Sequence, residues 1–120
     1  MLECEALVKI AYADQGTRDG VLANLTALID DATAKLHFGQ MIAQQYLDGQ
    51  GPFPERLPFS GLMWRFLWEH HLTMMRWARW ARAEVQAWPA DLTQLDVTAE
   101  FARIVATTSR LPASPGSGSD

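Results

Sequence analysis

Three histidines are the side chains of this sequence whose type is most suited to binding a metal ion: His37, His70 and His71. Neighbouring residues of a helix point about 100° apart, so His70 and His71 do not easily bind one ion together. Neither has a cysteine or carboxylate partner four residues further on, as a metalloprotease helix would require. We therefore interpret all three as core or capping side chains and expect no metal.

Nucleophilic chemistry has equally little support in the sequence. Cys4 is the single cysteine, and no local signature or orienting group accompanies it, so we interpret it as a buried structural thiol. The adjacent carboxylates Asp30 and Asp31 are typical of the solvated side of a helix. No glycine-rich phosphate loop and no GxSxG turn is present. The sequence predicts no enzyme activity and no cofactor.

Tryptophan is the unusual residue type, and four of the five lie in the segment WRFLWEHHLTMMRWARW, residues 64–80. At about 100° per residue, Trp64 and Trp68 fall on one side of a helix, and Trp77 and Trp80 fall on nearly the opposite side. Such a helix is apolar around most of its circumference, which a helix on the surface of a monomer does not need.

These indole rings have three possible uses, which the sequence leaves open. They can fill the core, form an interface with a second subunit, or form a platform on which a planar molecule stacks. The candidate ligand-binding residues are Trp64, Trp68, Trp77 and Trp80.

The elements that position these side chains are all predicted to be helical. We expect an all-α fold with a short N-terminal helix over residues 2–13, a long antiparallel helical hairpin, a short fourth helix and a disordered C-terminal tail. The first long helix has Thr17 as its N-cap and Gly49 as its stop. The second is predicted over residues 61–87, with Ser60 as its cap.

The apolar residues of the first long helix alternate at spacings of three and four, as in a coiled coil. This predicted seam comprises Leu22, Leu25, Ile29, Ala32, Leu36, Gly39, Ala43 and Tyr46. Its small residues allow another helix to approach closely or leave room for large side chains opposite. Beyond the hairpin, residues 90–109 are predicted to contain the additional helix, and residues 110–120 form the tail, rich in proline, glycine and serine.

Length, charge and cysteine content set further bounds on the function. The chain of 120 residues is the size of one domain, and its net charge of −4 argues against nucleic acid as a direct partner. A single cysteine forbids an internal disulfide and suits a reducing compartment. Because charged residues interrupt the N-terminal apolar run and no stretch is long enough to span a membrane, we expect a cytoplasmic protein.

Two stretches resemble a known family: LECEALVKIAYADQG, and GPFPERLPFSGLMWRFLWEHHLTMMRWARWARAEVQAWP. They resemble the C-terminal region of PadR-family transcriptional regulators, with ECEALV and GPFPER as the most specific parts. The resemblance covers approximately Leu2 to Pro89. It implies that residues 1–89 form a PadR-like C-terminal helical dimerisation domain.

In that family an N-terminal winged helix-turn-helix binds DNA and the C-terminal helices dimerise, and some members bind aromatic molecules near the dimer interface. The winged helix is not in this sequence, so the chain is expected to be a fragment, a truncated gene product or a stand-alone form, without direct DNA contact. The resemblance implies a homodimer, or a heterodimer with a PadR-like subunit. The alternative is a sensing domain for planar aromatic molecules, with a tryptophan-lined pocket at the dimer interface.

The expected dimer interface uses large apolar residues from both long helices. We predict that it includes Leu22, Leu25, Ile29, Leu36, Phe66, Met74 and Met75.

Overall fold

The computed structural model describes residues 17–108, which fold into three α-helices and two short 3-10 helices. In chain order these are α1 (Arg18–Leu47), a 3-10 helix (Pro54–Arg56), α2 (Leu57–Gln86), a second 3-10 helix (Leu92–Gln94) and α3 (Val97–Ala106). The predicted all-α class, the long hairpin and the short last helix are confirmed. The helix predicted over residues 2–13 and the tail predicted over 110–120 lie outside the described residues.

Helix α1 begins and ends at the signals that the sequence provides. Thr17 is extended, and its side chain accepts a hydrogen bond from the backbone N–H of Gly20 at 3.1 Å. At the other end, Asp48 is the C-cap, and Gly49 follows with φ of 83°, a left-handed conformation that costs glycine little. Both predicted boundaries are confirmed.

Helix α2 begins earlier than predicted, at Leu57, so the start at residue 61 and the capping role of Ser60 are wrong. The physical reason is Pro58, which lies in the first turn of α2, where no backbone N–H is required for the helix. Pro54 opens the preceding 3-10 helix for the same reason. The end of α2 at Gln86, with Ala87 as C-cap, agrees with the prediction.

The core lies between α1 and α2 and is concentrated at one end of the hairpin. Buried residues of α1 are Val21, Leu25, Leu28, Ile29, Ala32 and Leu36, and those of α2 are Ala78, Ala81 and Val85. Thus the start of α1 packs against the last third of α2, as antiparallel helices require. We call residues 17–36 and 71–108 the open half of the hairpin, and residues 37–70, around the connecting loop, the loop half.

The predicted seam of α1 faces α2. Four of its residues are buried and the other four are half-buried. None of the helices within residues 17–108 is long and apolar enough to cross a lipid bilayer.

Candidate functional site

The chain that leaves α2 is held against the start of α1 by Arg18. Its Nη1 donates a hydrogen bond to the carbonyl oxygen of Trp88 at 2.9 Å, and its backbone N–H donates to the carbonyl oxygen of Ala90 at 3.3 Å. These contacts join residues about seventy positions apart in the sequence. They fix the direction in which the chain leaves the hairpin.

Two aspartates then cap the short helices that follow. The Asp91 carboxylate accepts hydrogen bonds from the side-chain hydroxyl of Thr93 at 2.7 Å and from its backbone N–H at 3.0 Å, and together these lower the pKa of Asp91. The Asp96 carboxylate accepts from the backbone N–H of Ala99 at 3.0 Å and so caps α3. Each cap satisfies a backbone donor that would otherwise lack a partner.

After α2 the chain folds back, and its residues 92–104 form one wall of a cavity of about 600 Å³ in the open half. The other walls come from the start of α1 and the end of α2. The lining residues are Val21, Leu25, Trp77, Trp80, Ala81, Glu84, Val85, Trp88, Leu92, Thr93, Leu95, Val97 and Ile104. Three of the five tryptophans of the chain therefore line one concave, mostly apolar site.

Among the described residues that line the cavity, the single charged side chain is that of Glu84. Its carboxylate pairs with the Arg103 guanidinium of α3, which also contacts the Glu100 carboxylate at 2.6 Å. Both contacts raise the pKa of Arg103, the one with Glu84 most strongly, so its positive charge is secure. Since two carboxylates share one guanidinium, these three side chains carry one net negative charge.

Two buried polar atoms near the cavity have no hydrogen-bond partner among the described residues. They are the indole Nε1 of Trp88 and the guanidinium Nε of Arg18. A buried donor without an acceptor costs free energy. Both atoms lie where the start of α1 meets the end of α2, and the Arg18 Nε has a carboxylate oxygen of Asp19 at 3.6 Å.

The other tryptophan pair lies in the loop half, apart from this cavity. The rings of Trp64 and Trp68 stack, with centroids 5.5 Å apart and planes inclined by 19°. The Trp64 indole N–H also donates to the carbonyl oxygen of Gly39 at 3.1 Å. The small residue Gly39 in the α1 seam thus leaves room for the large indole of Trp64, as the seam predicted.

The structure therefore divides the four candidate ligand-binding tryptophans into two separate sets. Trp77 and Trp80 line the cavity, whereas Trp64 and Trp68 pack on each other near Gly39. The cavity also includes Trp88, which sequence reasoning placed on the same helical side but did not select as a site residue.

The residues predicted for a dimer interface also fall into distinct environments. Leu25, Ile29 and Leu36 are buried in the hairpin itself. Leu22, Met74 and Met75 are half-buried against that core, and the Met75 sulphur accepts a hydrogen bond from the Thr33 hydroxyl at 3.5 Å. Phe66 alone is exposed, with 62% of its surface accessible.

Phe66 belongs to a continuous exposed face on α2, which we call the apolar stripe. It consists of Phe59, Leu62, Met63, Phe66 and Leu67. Their spacing of three and four residues places them on one side of the helix. At about 100° per residue, that side is opposite to the one carrying Trp64 and Trp68.

The histidines at the border of the loop half make ring contacts. His70 lies edge-on to His71 with centroids 5.2 Å apart, and it stacks on Phe66 at 6.3 Å. Within residues 17–108 no group of three histidine, cysteine or carboxylate side chains is placed to hold a metal ion.

Comparisons with protein-family models, with curated proteins and with solved structures found no match to this chain.

The parts of the cavity that sequence reasoning missed are Glu84, Trp88 and the wall from Leu92 to Ile104. Asp91 and Asp96 were the available signals, because each is a favourable N-cap residue just ahead of an apolar residue. They indicate where short helices begin. They do not indicate that those helices fold back over α2.

Proposed function

We propose that this chain is a helical dimerisation module that resembles the C-terminal domain of a PadR-like transcriptional regulator. The observation that carries the proposal is the apolar stripe of α2. Five large apolar side chains are exposed side by side there, although the hairpin has a core of its own. Contiguous apolar surface of this kind marks interaction sites in soluble proteins.

A second copy of the same chain is the occupant that we propose for the stripe. Most soluble oligomers are symmetric homo-oligomers, in which one surface patch packs on its own copy. A helix with apolar residues at spacings of three and four can pair with an identical antiparallel helix in this way. Burying one such side chain fully contributes about 1.5–3 kcal/mol, so burial of five of them can offset much of the cost of association.

The charged neighbours of the stripe are compatible with this pairing. Arg65 and Glu69, one turn apart on α2, form an exposed ion pair with nitrogen and oxygen 3.2 Å apart. Because each copy carries both signs, an antiparallel pair of α2 helices can place Arg65 of one copy near Glu69 of the other. A polar rim around an apolar centre is the usual composition of protein interfaces.

The oligomeric state tests the proposal directly. We expect the purified chain to sediment as a dimer at micromolar concentration. Phe66→Glu introduces a charge at the centre of the stripe, and we expect this variant to sediment as a monomer with unchanged helical circular dichroism. A wild-type chain that sediments as a monomer would reject the proposal.

Phe101→Glu is the matched control, because Phe101 is also an exposed phenylalanine (70% accessible) but lies on α3, in the open half. We expect it to remain dimeric. If Phe101→Glu separates the copies and Phe66→Glu does not, the interface lies on α3 and the assignment to the stripe is wrong.

The same stripe would serve a heterodimer with a full-length PadR-like subunit. A dimerisation module determines how far apart two DNA-reading domains are held, since their spacing must match the half-sites of the operator. Mixing the chain with such a subunit and measuring the stoichiometry by native mass spectrometry tests this extension. If the heterodimer does not form, native mass spectrometry will detect only the two homodimers.

A further inference from the structure

We propose that the chain's own residues 2–13 dock as a helix on the open half, over the cavity and the exposed side of α3. This docking surface is separate from the proposed dimer contact, because the apolar stripe lies in the loop half. Docking and dimerisation can therefore be tested independently.

The exposed side of α3 continues the apolar wall of the cavity. Val97 and Ile104 of α3 line the cavity. At about 100° per residue, Phe101 and Val105 lie on the same side of α3 as these two. Val97, Phe101 and Val105 are exposed, the first two with 70% of their surface accessible. An apolar helix side that is exposed beside a mostly apolar cavity is typical of a surface that packs against a further element.

Residues 1–16 are attached to the chain at the edge of this surface. They join α1 at Thr17, where the backbone N–H of Arg18 donates to the carbonyl oxygen of Ala90 on the way to α3. Residues 14–16 span on the order of 10 Å when extended, so the predicted helix must end close to Thr17. Such a short tether gives the segment a roughly millimolar local concentration at the open half, which favours even a weak contact.

The predicted helix over residues 2–13 has an apolar side that suits this surface. At about 100° per residue, that side consists of residues spaced as in an amphipathic helix: Cys4, Leu7, Val8 and Ala11. Glu5 and Lys9 fall on the other side, which would face solvent. At about 1.5 Å per residue, this helix is about 18 Å long and α3 is about 15 Å long. The two apolar sides thus match in character and in length.

The cavity also offers the docked segment a hydrogen-bond donor. Trp88 lines the cavity, and its buried indole Nε1 has no acceptor within residues 17–108. The last carbonyl groups of a helix have no partner within that helix. Those of residues 10–13 are nearest in sequence to Arg18, whose Nη1 already bonds the Trp88 carbonyl oxygen. We expect one of these carbonyl groups to accept the Trp88 indole N–H, which satisfies a donor and an acceptor together.

Cys4 reports the docking, because it is the only cysteine of the chain and falls on the predicted apolar side of the segment. A covered thiol reacts with iodoacetamide only when the segment opens, so the docked population slows the reaction. Mass spectrometry of the full chain at successive times measures the rate. We expect Cys4 of the wild type to react about tenfold more slowly than the same thiol in an undocked chain.

Two leucines of the segment provide matched variants without a change of charge. Leu7→Gln places a polar amide on the docking side, and we expect it to raise the reaction rate of Cys4 about tenfold. Leu2→Gln makes the same substitution on the opposite side of the predicted helix and should change the rate less than about twofold. Equal effects of the two substitutions would reflect the surroundings of the thiol alone and would reject docking.

Two exposed phenylalanines separate docking from dimerisation. Phe101→Glu places a charge on the α3 side of the docking surface, so we expect rapid reaction of Cys4 in a chain that remains dimeric. Phe66→Glu should give a monomer in which Cys4 stays protected. Circular dichroism of each variant shows that the hairpin is intact.

The proposal is overturned if Cys4 of the wild type reacts as rapidly as that of Leu7→Gln, or if Phe101→Glu leaves it protected. If Phe101→Glu separates the copies, α3 belongs to the dimer contact and the docking surface is wrong. Loss of protection in Phe66→Glu would mean that a second copy covers the segment, which also rejects docking on the chain's own hairpin.

Discussion

In the open half of the hairpin, α1 places aliphatic side chains against small residues of α2, whereas in the loop half large side chains of both helices remain exposed. Leu25 belongs to one buried cluster with Ala78, Ala81 and Val85. In the loop half, α2 turns Trp64 and Trp68 towards α1 and the apolar stripe away from it. The same pair of helices thus provides a stable core at one end and a surface suited to a partner at the other.

The difference between the halves comes from side-chain size at the helix contact. Alanines allow two helices to approach closely, so that neighbouring leucines become fully buried. Indoles fill the contact near the loop, where Gly39 provides the room. The buried core and the apolar stripe are therefore located in different parts of one hairpin.

The largest expected effect comes from comparing two leucine truncations, one in each half of the hairpin. Leu25 is fully buried, so Leu25→Ala should lower the free energy of unfolding by about 3 kcal/mol, through lost burial and a residual cavity. Leu62 in the stripe is 71% accessible, so Leu62→Ala should cost less than about 0.5 kcal/mol at low protein concentration. Urea denaturation of both variants measures the difference.

Protein concentration makes the same experiment more informative. If a second copy covers the stripe, the cost of Leu62→Ala should grow as the chain is concentrated, because oligomerisation contributes to stability by mass action. Equal costs for the two leucines under dilute conditions would contradict the assignment of the core to the open half.

A smaller effect is expected from adding methyl groups at the helix contact. Gly39→Ala places a new Cβ 3.8 Å from the Trp64 Nε1, an ordinary contact distance, and should stabilise the chain by about 0.5–1 kcal/mol through its better helix propensity. Ala78→Val is the matched addition in the open half, where Ala78 itself is fully buried, and should destabilise by about 1–3 kcal/mol. Thermal unfolding of the two variants should therefore shift in opposite directions. A gain for both would mean that the open half is as loosely packed as the loop half.

Much of this architecture follows from local signals in the sequence. Thr17 and Gly49 define α1 because capping depends on residues within one turn. The division of the tryptophans follows from the helical repeat alone. The start of α2 is less evident from local signals, because Pro58 is well suited to the first turn of a helix and allows the helix to begin before residue 61.

The cavity was not predictable in the same way, since its walls meet only through contacts between residues far apart in the sequence. The bond from Arg18 to the carbonyl of Trp88 and the ion pair of Arg103 with Glu84 close the site. Nothing in the spacing of these residues indicates that they meet. Their pairing depends on the length of both long helices and on the path of the chain after α2.

The smallest expected effect is a loss of stability at low pH. The lowered pKa of Asp91 means that its cap on the second 3-10 helix contributes fully above the ordinary pKa of aspartate and is lost as the pH falls through the lowered value. Unfolding of the wild type should therefore become easier in strong acid by a small amount that Asp91→Asn does not show. The measurement is the difference in urea midpoint between the two proteins at neutral pH and near pH ~2, below the reference pKa of aspartate. A difference that stays constant with pH would mean that the cap does not depend on the charge of Asp91.

The bonds from Arg18 to the carbonyls of Trp88 and Ala90 also determine how the hairpin responds to mechanical load. They join the beginning of α1 to the chain just beyond α2, so they are loaded first when the hairpin is pulled apart at residues 17 and 90. Because the helices are antiparallel, such tension separates their contacts one after another from the open half towards the loop. Unzipping of this kind requires less force than sliding all the contacts at once. Pulled at these two points, the hairpin would lengthen at low load, beginning at the cavity and reaching the apolar stripe last.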